Sequence, residues 1–181
     1  MFIEAFIADW TETVKRLKED AELAYSLGEI LSEGKPKWIQ QLEWFPDSDG
    51  YYFGCTEVWE KIRDADDVPR ETRANARAFM DHLITYKGYC QELSPETFLL
   101  SLSPESAGKF AVLYAAVDFK LYRNAFYSQA PEQDRQAIAD YTESEDPNRA
   151  FEEGFLPYIK FFGRAVTFAA KRKRGLLVTM F

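Results

Sequence analysis

Apolar side chains recur every three to four positions through much of the chain, the spacing that places them on one face of an α-helix. Residues 2–32 carry such a stripe. The same segment also allows a strand at 1–8 and a helix from Trp10, because Asp9 and Glu12 have the spacing of a capping box. The N-terminal segment is therefore predicted either as one long helix or as a strand followed by a shorter helix.

Serine, proline and acidic residues mark the starts of later helices. Ser103-Pro104-Glu105 offers a cap, a proline at the first helical position and a glutamate in the first turn. The pattern predicts a helix over 69–87, a nearly all-apolar helix over 104–127 and a last helix over 156–171. We expect the last two to form the central pair, with Phe168 among the buried residues.

Two other segments follow a less regular pattern. Residues 38–45 are predicted as a short helix, which the turn signals of 46–50 bring to an end. The apolar tail 176–181 reads as a strand or a packed end. A small sheet that pairs 1–8 or 51–54 with this tail is an alternative to a purely helical fold.

These patterns predict a mainly α fold: a single globular domain over 1–181 and an irregular helical bundle of six to eight helices. An α+β arrangement with a small terminal sheet is the minor alternative. The chain has 181 residues, 46% of them apolar and 29% charged, which suits one soluble core. Its net charge of −8 is unevenly spread: residues 1–67 hold 16 acids and 7 bases, whereas the last 24 hold six bases and no acid.

The shortage of reactive side chains excludes several kinds of chemistry. The chain has one histidine, His82, and two cysteines, Cys55 and Cys90, too few and too far apart for the usual zinc sets. It has no phosphate-binding glycine loop, so we predict no metal and no cofactor. No apolar stretch is long enough for a membrane span, and two distant cysteines favour the reducing cytoplasm.

One pair of residues suggests catalysis. Arg77 and His82 lie five positions apart on a predicted helix. This spacing resembles the arginine–histidine signature of HEPN-type ribonucleases, compact all-helical proteins. The resemblance implies a metal-independent ribonuclease in which the pair contacts the scissile phosphate and helps to transfer a proton. It covers six residues, and Ala78 replaces the polar residue that usually follows the arginine.

The aromatic residues of the acidic N-terminal third favour a different function. Tyrosine and tryptophan are enriched at interface hot spots. We predict a non-enzymatic cytoplasmic interaction module, such as an inhibitor, immunity or antitoxin-type binder. Overall acidity favours a basic protein partner over nucleic acid, and a homodimer is compatible with the composition. A small-ligand pocket among the same aromatics is the further alternative. The predicted binding residues are Trp38, Trp44, Phe45, Tyr51, Tyr52 and Trp59.

Overall fold

A computed structural model describes residues 2–27, 30, 36–46, 51–83, 92–93, 99–142 and 146–180. This part of the chain is mainly α-helical with one small antiparallel sheet, which confirms the predicted fold class. The helices are α1 Trp10–Glu19, α2 Tyr51–Ile62, α3 Arg70–Leu83, α4 Pro104–Ala115, α5 Phe119–Gln129, α6 Glu132–Tyr141 and α7 Leu156–Arg172. The strands are β1 Phe2–Ala8, β2 Ile39–Pro46, β3 Leu100–Leu102 and β4 Gly175–Met180.

Backbone contacts divide the chain into two compact units. Unit 1 contains residues 1–46, 89–111 and 163–181, and unit 2 contains residues 47–88 and 112–162. The prediction of a single domain over 1–181 stays a prediction.

The sheet of unit 1 has the strand order β2-β1-β4-β3, and every neighbouring pair is antiparallel. The predicted pairing of 1–8 with 176–181 is confirmed, with Phe6 opposite Leu177. The alternative use of 51–54 as a strand is wrong, because these residues form the first turn of α2. The prediction of one helix over 2–32 is also wrong: Asp9 ends the strand and caps α1, where its carboxylate accepts a hydrogen bond from the Glu12 amide.

β1 is buried on both faces, because Ile3, Ala5 and Ile7 on one face and Phe6 and Ala8 on the other are all at most 5% exposed. On one face, Phe6 and Leu177 form a cluster with Leu27 and Trp38, against which Trp10 packs. The predicted helix over 38–45 is wrong, because this segment is instead the strand β2, paired with β1 from Ile39 to Pro46. Eight residues could form only a marginal helix alone, and pairing with β1 decides their conformation.

The apolar run 104–127 is not one helix, which corrects the sequence prediction. α4 ends at Ala115, and Asp118 starts α5 by accepting a hydrogen bond from the Lys120 amide at 3.0 Å. In α4 only Ala107 and Phe110 are buried, and Val112 is 71% exposed, so α4 is not central. The other member of the expected pair, α7, is buried along most of its length.

Aromatic rings fill the core of unit 2. The Phe126 ring lies 5.4 Å from that of Phe151 and 5.7 Å from that of Phe155. Residues 151–155 form a π-helix directly before α7. Pro157 explains this widened turn, because it has no amide hydrogen and its ring would clash with the Glu153 carbonyl of a regular α-turn.

Candidate binding groove and the predicted site residues

In unit 1, side-chain hydrogen bonds join α7 and the residues directly after it to β2 and its preceding residue, in antiparallel order. At one end, the guanidinium of Arg164 makes two hydrogen bonds to the Glu43 carboxylate, 3.0 Å from Nε to Oε2 and 2.5 Å from Nη2 to Oε1. At the other end, Nη2 of Arg174 donates to the Trp38 carbonyl at 2.9 Å. The helix C-terminus is therefore fastened to the start of β2, and a point near the middle of the helix is fastened to the strand's second half.

A groove of about 290 Å³ lies between these elements. Among the described residues, its lining is formed by residues 40–43 of β2 and by Arg164, Ala165 and Phe168 of α7. Successive side chains of a strand point to opposite faces of the sheet. Four consecutive residues therefore border the groove with backbone as well as side-chain atoms, and they belong to the edge strand of the sheet.

The outer edge of β2 has no strand paired to it within the described residues. The Asp9 amide donates to the Trp38 carbonyl at 2.6 Å, so this pair exchanges a ladder hydrogen bond. Because hydrogen-bonded and non-hydrogen-bonded pairs alternate in an antiparallel ladder, Gln40 bonds to β1, and the amide and carbonyl of Gln41 point outward. Leu42 is the extra residue of a bulge between the pairs Phe6–Gln41 and Ala5–Glu43.

The exposed face of α7 beside this edge is basic and carries one large apolar side chain. Arg164, Phe168, Lys171 and Arg172 are all exposed. The guanidinium carbon of Arg172 lies 5.3 Å from the centre of the Phe168 ring. Phe168 is 37% exposed, so the expectation that it is buried is wrong. The periodicity placed Phe168 on the apolar side of the helix. That apolar side is wider than the part of the helix surface that packs against the core, so Phe168 stays exposed.

The predicted binding residues are divided between the two units. Trp38 and Phe45 belong to unit 1, where Trp38 is only 9% exposed and Phe45 is half-buried. Trp44 lies on β2, whereas Tyr51 and Tyr52 lie in the first turn of α2. The structure describes only the backbone of these three residues.

Trp59 is fully buried in unit 2. Its indole Nε1 donates to Asp81 at 2.6 Å, and its ring centre lies 5.2 Å from that of Tyr122. Such a residue anchors α2 to α3 and α5.

Trp38 borders a second cavity of unit 1, of about 550 Å³. The guanidinium of Arg16 lies 5.2 Å from the centre of the Trp38 ring, and Arg16 also pairs with Glu12 at 2.8 Å. Of the six aromatic residues predicted to bind, Trp38 is the one that lines either cavity of unit 1 within the described part of the chain.

Arg77 and His82 are both placed on α3. Five positions on a helix correspond to a rotation of about 140°, so the two side chains leave the helix in different directions. Arg77 is half-exposed and forms an ion pair with Asp64, and His82 is exposed in the last turn. Within one chain, the structure does not bring the pair together on one helix face.

Two tyrosines of unit 2 have strongly perturbed hydroxyls. Burial raises the pKa of Tyr122 to about 12, and its hydroxyl has no hydrogen-bond partner among the described residues. Burial, together with a hydrogen bond donated to Glu152 at 2.8 Å, raises the pKa of Tyr127 to about 12. Burial opposes the ionisation of Glu152, but hydrogen bonds from Arg123 and Tyr127 outweigh it and lower the pKa of this carboxyl. Glu152 thus acts as an acceptor that ties α5 to the π-helix.

The other predicted chemical features can be placed briefly. Cys55 is buried, and Cys90 and the turn 47–50 lie outside the described residues. Among the residues that are described, no three His, Cys, Asp or Glu side chains lie close enough together to hold a metal ion. Within the same ranges, no helix has the length and apolar character needed to cross a bilayer.

Comparison with known proteins gives this chain no relatives. It matches no protein-family model, no curated protein and no solved structure.

Proposed function

We propose that this chain is a non-enzymatic, cytoplasmic protein-interaction module of the inhibitor, immunity or antitoxin-binder kind, and that it docks its partner on the outer edge of β2. The observation that supports this function most is the outer edge of the strand Ile39–Pro46, which pairs with no other strand among the described residues, beside an exposed aromatic side chain, Phe168. An added strand gains main-chain hydrogen bonds from such an edge, and a neighbouring pocket gives specificity.

The groove supplies both of these elements. The outward amide and carbonyl of Gln41 offer one donor and one acceptor to a neighbouring strand. Phe168 offers apolar surface within the same groove, and Arg172 covers part of its ring. β2 belongs to the N-terminal third that the aromatic content had indicated, whereas the α7 residues come from the basic C-terminal end.

The charge of the chain divides unequally between the units. Unit 2 contains 18 acidic and 11 basic residues, whereas unit 1 contains 12 and 11. A basic partner surface, as the overall charge of −8 had suggested, would be attracted to unit 2. The docking edge itself is on unit 1 and does not carry that excess of acid.

Affinity capture with matched variants tests this function. The tagged wild type, Phe168→Ser and Val112→Ser are used as baits in a lysate of the source organism, and bound proteins are identified by mass spectrometry. Both substitutions remove one exposed apolar side chain, but Val112 lies in unit 2, outside the groove. We expect one protein to be recovered with the wild type and with Val112→Ser and to be lost with Phe168→Ser. Equal recovery with all three baits, or no specific protein with any, would contradict the proposal.

A further inference from the structure

We infer that the segment docking on β2 is an extended, acidic stretch of the partner, which adds a strand at Gln41 and places an apolar side chain on Phe168 and a carboxylate on Arg172. This inference rests on the proposed function and specifies the chemistry of its partner. It depends on three features of the groove: its spacing, its charge and its hydrogen-bonding edge.

The spacing of the α7 side chains matches that of an extended strand. Arg164, Phe168 and Arg172 follow one another at four-residue intervals, which are about 6 Å on a helix. Alternate side chains of a strand are about 6.7 Å apart. Because the contacts to Glu43 and Trp38 order α7 antiparallel to β2, a strand added at the edge of β2 is aligned with the axis of α7. The side chains of the added strand that point to the α7 side of the sheet then have the spacing of successive turns of the helix.

The charge beside the groove is positive and largely uncompensated. Arg164 is already paired with Glu43. Lys171 and Arg172 are exposed, and neither has a carboxylate within ion-pair distance in the described part of the chain. A carboxylate two residues from the apolar side chain would reach Arg172, whereas a basic residue there would be repelled. For a strand that pairs antiparallel with β2, and so meets Phe168 before Arg172, the favoured pattern in the partner is thus apolar–x–acidic.

The edge of β2 favours a peptide over a nucleic acid. The Gln41 amide donates and its carbonyl accepts, so the edge needs a partner with both groups at strand spacing. A phosphate backbone offers acceptors only. Glu43, the one carboxylate among the described residues that line the groove, would also repel phosphates, although Arg164 offsets most of this effect.

Three short fluorescein-labelled peptides test the inference directly. Each has alternating threonine and valine, and the position two residues after the central valine is glutamate, glutamine or lysine. Binding is measured by fluorescence anisotropy. We expect the glutamate peptide to bind about fivefold more tightly than the glutamine peptide at low salt, the scale of one exposed ion pair. The lysine peptide should bind more weakly still, and the difference should nearly vanish at about 1 M salt.

Variants assign these effects to particular side chains. Arg172→Gln should abolish the preference for glutamate over glutamine while leaving the glutamine peptide unchanged. Lys120→Gln removes one exposed charge from unit 2 and should change neither affinity. Phe168→Ser should weaken all three peptides about tenfold, and N-methylation of alternate amides in the glutamate peptide should do the same by blocking strand pairing.

The outcomes separate the two proposals. Equal binding of all three peptides that is lost in Phe168→Ser would overturn the acidic partner but retain the docking edge. Failure of every peptide at about 1 mM, or binding that Phe168→Ser leaves intact, would overturn both. A concentration-dependent dimer of the wild type that Phe168→Ser dissociates would make a second copy of this chain the occupant, and would overturn the acidic segment.

Discussion

Two glycines of unit 1 should respond to the same substitution with opposite signs. A Cβ at Gly175, the first residue of β4, would overlap the Cε3 atom of the Trp10 ring and lie 3.2 Å from the Leu102 carbonyl oxygen. A Cβ at Gly108, in the interior of α4, would have no heavy atom within 4 Å. The first site thus tests how closely α1 approaches the sheet, and the second provides a control for the substitution itself.

The structure sets the size of each effect. Inserting a methyl group into a packed contact costs about 1–3 kcal/mol, and the Trp10 ring at Gly175 packs against the buried cluster of the sheet, so we expect Gly175→Ala to cost about 2 kcal/mol. Glycine in a helix interior is about 1 kcal/mol less favourable than alanine, so Gly108→Ala should stabilise the protein by about that amount. In a chain of this length, 1 kcal/mol corresponds to about 2–4 °C in Tm.

Urea unfolding followed by circular dichroism and by tryptophan fluorescence measures both variants. We expect a lower midpoint for Gly175→Ala and a higher one for Gly108→Ala, with slopes like that of the wild type. A Gly175→Ala variant within about 0.5 kcal/mol of the wild type would refute the close approach of Trp10 to β4. So would a larger loss for Gly108→Ala than for Gly175→Ala.

Three further predictions concern unit 2. Tyr122→Phe removes a buried hydroxyl that has no described partner, so this variant should leave the free energy of unfolding unchanged or raise it by about 1 kcal/mol. Tyr127→Phe removes a hydrogen bond to Glu152 and should lower the free energy of unfolding by about 1.5–3 kcal/mol. The reverse order of the two variants in urea unfolding would contradict the hydrogen-bond assignment. Because folding raises the pKa of both tyrosines to about 12 from an ordinary value near 10, the stability that they contribute should be intact below pH about 10 and decline as the pH rises to about 12. Absorbance titration of the native protein checks this, and ionisation of all ten tyrosines near pH 10 would disprove it. The wild type should not cleave RNA in the presence of EDTA; cleavage that is lost in both Arg77→Gln and His82→Ala would replace our proposal with the ribonuclease alternative.

Local signals predicted the parts of the fold that depend on local chemistry. The capping spacing at Asp9 gave the correct start of α1, and the proline at position 104 gave the correct start of α4. The break between α4 and α5 was missed, because apolar residues surround the Asp118 cap that starts α5. Where a segment's conformation depends on a distant neighbour, as β2 depends on β1, periodicity within the segment was a poor guide.

The candidate groove could be predicted only in part. Arg164 and Lys171 lie on the last helix that the sequence predicts, but nothing in the sequence places that helix beside β2, which lies more than 100 residues earlier. The aromatic residues that drew attention to the N-terminal third, above all Trp59, proved to include core anchors. Aromatic content alone does not separate hot spots from core, because both use the same large apolar rings.

Amide hydrogen exchange of β2, measured in the free protein and in complex with the captured partner, tests the central claim most directly. If the partner adds a strand, the Gln41 amide, which points away from β1, should exchange quickly in the free protein and at least about tenfold more slowly in the complex. The Gln40 amide, already bonded to β1, should change much less. Unchanged exchange at Gln41 with new protection confined to unit 2 would contradict the account.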